Sequence, residues 1–124
     1  MDKLFIKSTY TTPQVVFDAE KGLFEIEGRI IPEDAESFFD EIFKWLDVCT
    51  FDNQRLLLVS FRIFYYNTGS SRCIVDVMKR FDALFQKGNN IKIEWKYEEG
   101  DEDAKRDGEN FKTLLKVPFE VVKV

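Results

Sequence analysis

Asn67-Thr68-Gly69-Ser70-Ser71, followed by Arg72, breaks the middle of the chain between a long apolar run and an amphipathic helical pattern. Two chemistries suit such a stretch. Asn, Thr and Ser are preferred N-cap residues, because a side-chain oxygen accepts from a backbone N–H that the first helical turn leaves without a partner. The same hydroxyls are also good places for a phosphate. A helix start after the end of a strand offers N–H groups and the positive end of the dipole, and Arg72 stands close enough to help. A phosphate on Thr68 or Ser70 would add close to two negative charges to a surface that a partner reads. Of Trp45, Tyr65, Tyr66 and Tyr97, whose burial the pattern leaves open, Tyr66, just before the turn and on a partly polar strand face, is placed best to touch that partner, with core packing as the alternative reading that the aromatic set favours. Residue type alone does not choose between cap and phosphoacceptor.

No catalytic constellation competes with this turn. The chain has no histidine, so general acid–base work near neutral pH would need a strongly perturbed Glu, Asp, Lys or Cys. Glycine-rich phosphate loop, Cys/His metal spacing and nucleophile elbow are all missing, and nothing calls for a cofactor. Glu98, Glu99, Asp101, Glu102 and Asp103 form an acidic run whose spacing departs from the alternating ligands of a calcium loop. It reads as a solvated helix start with Asp101 or Asp103 as cap, not as a metal site. Cys49 and Cys73 fall in apolar helix patterns and read as buried thiols. With 18 basic and 23 acidic residues the net charge is −5, which argues against nucleic acid or an anionic membrane surface as partner. No apolar stretch is long enough for a membrane span, and no signal peptide is visible at the N-terminus. A cytoplasmic protein is expected.

The elements that must hold the turn follow from periodicity. The 124 residues, 44% apolar with thirteen Phe, suit a single domain over residues 1–124. "TPQVVFD" and "LFEIEGRI" read as a β-hairpin closed by Gly22, with a weaker strand at Leu4–Ile6. Pro32 opens a helix whose stripe is Ala35, Phe38, Phe39, Ile42, Phe43, Leu46 and Cys49, with Trp45 at its edge. "RLLLVSFRIFYY" is the central strand, with Leu57, Val59, Phe61, Ile63 and Tyr65 on one face and Leu56, Leu58, Ser60 and Arg62 on the other. Cys73, Ile74, Val77, Met78, Phe81, Leu84 and Phe85 line a second helix that Gly88 ends. "IKIEWKY" alternates, with Ile91, Ile93, Trp95 and Tyr97 inward. A third helix runs through Ala104, Gly108, Phe111, Leu114 and Leu115, and "VPFEVVKV" is the last strand. The order β-β-α-β-α-β-α-β predicts an α/β, two-layer domain: a mixed, mostly parallel sheet of about five to six strands with three main helices on one face.

Several stretches together, "TTPQVVFD", "GLFEIEGRIIPEDA", "FFDEIFKWL", "FYYNTGSS", "IEWKYEEGDED" and "DGENFKTLLKVPF", resemble the SiaC-like regulatory phosphoproteins, bacterial regulators of biofilm formation and aggregation. The likeness spans nearly the whole chain. It implies a fold like the STAS domain of anti-sigma factor antagonists. It also implies a switch: a dedicated Ser/Thr kinase phosphorylates a threonine, matched here by Thr68 after Asn67, and a PP2C-type phosphatase reverses it. The unphosphorylated form would bind and activate a diguanylate cyclase, raising cyclic di-GMP. Gly69 departs from the small hydroxyl residue expected there, and the hydroxyls resume at Ser70 and Ser71, which keeps Ser70 a second candidate acceptor. On this reading Asn67, Gly69, Ser70, Ser71, Arg72 and Tyr66 shape what kinase, phosphatase and partner recognise. Two alternatives stand beside it: a small-ligand sensor, which calls for a sizeable apolar pocket, and a homo-oligomerising module pairing through its open sheet face.

Overall fold

Six strands lie side by side in chain order, a layout that follows from how they are joined. The computed structural model describes residues 3–52 and 54–124. The first three strands, β1 (Lys3–Ile6), β2 (Gln14–Asp18) and β3 (Leu23–Ile30), pair antiparallel. Gly22, at φ +70°, makes the tight turn between β2 and β3. Three helices follow, each between two strands: α1 (Ala35–Val48) before β4 (Leu57–Tyr66), α2 (Thr68–Gln86) before β5 (Ile91–Tyr97), and α3 (Glu102–Lys112) before β6 (Phe119–Lys123). The strand pairs so connected, β3–β4, β4–β5 and β5–β6, are parallel. Successive crossovers of one hand stepping one way across a sheet place every helix on the same face. Burial follows suit. Val15, Phe17, Phe24, Ile26, Val59, Phe61, Ile93 and Trp95 are sealed beneath the helices, while Glu25 and Glu27 of β3 are exposed on the other side. That open face carries ion pairs of Lys92 with Glu120 (2.6 Å) and Glu94 (3.6 Å), not a continuous apolar surface.

The core is built on aromatic edges. Phe81 of α2 meets Phe24 at 5.3 Å and Phe17 at 6.2 Å between ring centroids. Trp45, expected at the margin of the α1 stripe, is buried against Phe17 (5.6 Å) and Phe24 (6.2 Å). Its indole is wide enough to reach the centre from a flanking position. Pro32 does not open α1. The helix starts at Ala35, and Asp34 caps it, accepting from the Ser37 N–H (3.1 Å) and hydroxyl (2.8 Å). α3 ends at Lys112, so Leu114 leaves the predicted stripe and is exposed, as is Leu56 just ahead of β4. Cys73 is buried, and desolvation pushes its thiol up from its ordinary value, whereas Cys49 is only half-buried.

α3 is pinned to the sheet through one indole. Trp95 donates from Nε1 to the Ala104 carbonyl (2.9 Å) and packs edge-to-face with Phe111 at 5.1 Å. The helix comes this close because residue 108 has no side chain: a Cβ on Gly108 would stand 2.4 Å from Trp95 Cδ1. In an open helix, Gly→Ala stabilises by about 1 kcal/mol. Here the sign reverses. Gly108→Ala is expected to destabilise the fold by about 2 kcal/mol through overpacking, read as a lower urea midpoint. An equal or higher midpoint would contradict this packing.

Candidate functional site

The end of β4 decides what the turn presents. β3 and β4 run in register from Leu23↔Leu58 to Gly28↔Ile63, then resume as Arg29↔Tyr65 and Ile30↔Tyr66. Phe64 is therefore an extra residue, a β-bulge that inverts the alternation beyond it. Tyr65, expected on the core face after Ile63, is turned to solvent and 63% exposed, and Phe64 is 48% exposed. Tyr66, expected to meet partners from the partly polar face, is half-buried on the helix side instead. Its ring packs edge-to-face on Trp95 at 6.3 Å, and its hydroxyl donates to Asp107 Oδ2 at 2.5 Å. Burial first, and the Asp107 carboxylate next, push this phenol well above its ordinary value, so it stays a donor. Tyr66 anchors the strand to α3, and Phe64 and Tyr65 just before it face outward.

Cap and hydroxyl, which share one chemistry, fall to different residues here. Asn67 is the N-cap: its Oδ1 accepts from the Ser70 N–H at 2.9 Å, and its carbonyl accepts from Ser70 and Ser71 N–H, both at 3.1 Å. Its own N–H donates to the Ile30 carbonyl (3.2 Å) and its Nδ2 to the Pro32 carbonyl (3.4 Å), tying the turn to the end of β3. Asn67→Ala is expected to lower stability by about 1 kcal/mol, seen as a reduced urea midpoint; an unchanged midpoint would remove Asn67 from the capping role.

With the cap provided by Asn67, Thr68 is the first helical residue and is exposed. Its hydroxyl makes no hydrogen bond among the described residues. Ser70, the second candidate, is fully buried, with its Oγ sealed from water and lacking a hydrogen-bond partner among the described residues; a kinase would have to unwind the helix to reach it. Ser71 is half-buried and its Oγ donates to the Thr68 carbonyl at 2.8 Å. Arg72 is exposed one helical turn after Thr68, on the same face, and it has no carboxylate within ion-pair reach among the described residues. Gly69 is not required by sterics, since a Cβ there would meet only Asn67 Oδ1 at 3.9 Å. One hydroxyl of the turn is thus open to modification, at the N-terminus of a 19-residue helix, with a cation beside it.

Four of the five carboxylates of the acidic run have partners within the fold. Asp101 caps α3, accepting from Ala104 N–H at 3.1 Å. Glu98 pairs with Arg62 (3.0 Å), Asp103 with Arg106 (3.1 Å) and Glu99 with Lys123 (3.7 Å). Among the described residues, no three His, Cys, Asp or Glu side chains stand close enough to hold a metal ion, and no helix is long and apolar enough to cross a membrane. A groove of about 640 Å³ lies between α1 and α2, toward the far end of α2 from Thr68. Its lining is mixed: Asp47, Asp76, Lys79, Arg80 and Lys87 alternate with Phe43, Leu46, Cys49, Phe51, Ala83 and Leu84, so it is a half-charged groove and not the apolar pocket that a small-ligand sensor calls for.

Known proteins share this fold over their full length. A family model described as "SiaC family regulatory phosphoprotein" matches residues 6–124. An uncharacterized protein of Pseudomonas aeruginosa (strain UCBPP-PA14) is 26% identical over 121 residues, covering 98% of this chain and 96% of that protein. The solved structure of SiaC of Pseudomonas aeruginosa superposes with a TM-score of 0.87 at 25% identity, covering both chains completely. In the crystal structure of the diguanylate cyclase SiaD in complex with its activator SiaC from the same organism, the similar chain gives a TM-score of 0.89. It is 26% identical, with 98% of this chain and 99% of that one covered. The chain belongs to the SiaC family of regulatory phosphoproteins.

Proposed function

We propose that this chain is a single-domain partner-switching regulator, reversibly phosphorylated on Thr68. Its unphosphorylated form would bind and activate an output enzyme such as a diguanylate cyclase in the bacterial cytoplasm. A Ser/Thr kinase writes the mark, a PP2C-type phosphatase removes it, and the chain performs no catalysis of its own. The observation that carries the reading is the division of labour in the turn: Asn67 does the capping, Ser70 is sealed, and the Thr68 hydroxyl is left exposed. The partner reading rests on the family and on the activator role of SiaC toward SiaD.

The mechanism is local. A phosphate on the first residue of α2 meets the positive end of the helix and the Arg72 guanidinium, both favourable, so the domain does not refold. What changes is the surface, which gains close to two negative charges and the bulk of a phosphoryl group. The test is a binding titration. Chain purified in the unphosphorylated and the Thr68-phosphorylated forms is titrated onto each full-length diguanylate cyclase of its own cell. Binding and activation by the first form alone are expected. Equal binding by both forms would overturn the switch.

A further inference from the structure

Beside the turn, on the open sheet face, lies a patch that neither the fold nor the switch explains. The bulge turns Phe64 and Tyr65 outward, 48% and 63% exposed, and Tyr10 in the β1–β2 connection is 77% exposed. Aromatic side chains left in water cost hydrophobic free energy, and a cluster of them marks a contact surface. Tyr10, Phe64 and Arg29 border a hollow of about 340 Å³. The Arg29 guanidinium lies over the Tyr10 ring at 4.8 Å, and that of Arg62 over the Phe64 ring at 5.7 Å.

Charge narrows the occupant. The chain is net negative by five charges, yet of the seven residues lining this hollow Arg29 is the one that is charged. Arg62 is already held by Glu98 at 3.0 Å. Arg29 is exposed with no carboxylate in ion-pair reach among the described residues, Glu27 two positions earlier included. A stacked, unpaired guanidinium is pre-organised to take a carboxylate in bidentate fashion. The turn that carries Tyr10 is also held by its own hydrogen bonds. Thr9 N–H donates to the Thr12 carbonyl (2.9 Å), Thr9 Oγ1 accepts from Thr12 N–H (3.0 Å), and Ile31 N–H donates to the Thr11 carbonyl (2.8 Å). Little ordering entropy would be lost on binding.

Position ties the patch to the switch. Arg29 pairs with Tyr65 across β3 and β4, and the next residue, Ile30, accepts from the N–H of Asn67. Arg29 and Thr68 are thus each one residue from the same hydrogen bond. We infer that Tyr10, Arg29, Phe64 and Tyr65 form the docking surface for an acidic segment of the output enzyme, apolar anchors seating on the aromatic rings and a carboxylate on Arg29. This rests on the phosphorylation reading and extends it. A phosphate at Thr68 then opposes docking by repelling the incoming carboxylate.

The test uses the full chain and the purified diguanylate cyclases of its own cell as probes. Arg29→Glu, Tyr65→Ser, Thr68→Asp and a distant control, Lys79→Glu, are titrated at rising salt after their melting curves are checked. Arg29→Glu and Tyr65→Ser are each expected to bind at least tenfold more weakly than wild type at unchanged melting temperature. Wild-type binding should weaken with salt, and the Arg29→Glu variant should lose most of that dependence. Wild-type affinity in both patch variants, with Thr68→Asp still weakened, would overturn the docking surface and leave the switch standing. Weakened patch variants with wild-type affinity in Thr68→Asp would support the surface and sink the switch. A wild-type chain that binds none of the cyclases would overturn both.

Discussion

Thr68→Asp will bind the output enzyme at least tenfold more weakly than the wild-type chain, and Thr68→Ala will bind at wild-type strength whether or not kinase and ATP are present. The exposed hydroxyl of Thr68 sits on the first residue of α2, one helical turn from Arg72 and immediately after the capping Asn67. On the proposed docking, a carboxylate there places a fixed negative charge beside the partner, and like-charge contacts across an interface cost several kcal/mol, against about 1.4 kcal/mol for each factor of ten in affinity. The same charge is favourable to the helix itself, by about 0.3–1 kcal/mol at the N-terminus. Thr68→Asp should therefore melt no lower than wild type while binding worse, which separates a surface effect from unfolding. Isothermal titration and a melting curve on the same samples read both. Wild-type affinity in Thr68→Asp would place the control elsewhere.

The largest expected loss of stability belongs to Asp82. This α2 carboxylate is 8% exposed and holds down the segment leading into β6. Its Oδ1 accepts from the backbone N–H groups of Lys116 (2.9 Å) and Val117 (2.7 Å), and its Oδ2 from Gln86 Nε2 (2.9 Å). Val117 is itself buried, so its N–H has no easy route to water once the acceptor is gone. A buried donor left without a partner costs about 1–3 kcal/mol. Asp82→Ala is accordingly expected to lower stability by about 3 kcal/mol in urea unfolding. Asp82→Asn, which keeps an oxygen in place and loses the charge assistance, should lose less than half of that. Should Asp82→Ala lie within about 0.5 kcal/mol of wild type, the ordinary range for surface substitutions, the carboxylate would not be the staple its geometry indicates.

Periodicity made most of the fold legible, because the apolar residues of α1 and α2 recur at three and four positions and those of β3 and β5 alternate. Lys3–Ile6 gave a faint signal, being only four residues long on a sheet edge. The bulge left no trace at all. Phe64, Tyr65 and Tyr66 are all aromatic, so a one-residue shift in phase changes nothing in the pattern, though it reverses which rings meet solvent. That is why Tyr66 was expected outward and Tyr65 inward. The start of α1 was ambiguous for a related reason: Pro32, Glu33 and Asp34 all suit a helix N-terminus, and only the contacts with Ser37 single out Asp34. Within the turn, residue type offered Thr68 and Ser70 equally. The difference is tertiary, since α2 packs so that Ser70 is sealed and Thr68 is not. Asp82 escaped notice because its partners are backbone N–H groups 34 and 35 residues away, which no local pattern encodes.

Peptide-level mass spectrometry on the protein purified from its own cells, across growth conditions, tests the phosphorylation of Thr68 most directly. A single phosphate localised to Thr68 in at least one condition is expected, with Ser70 unmodified throughout. Phosphate on another residue of the turn, or none under any condition, would contradict it.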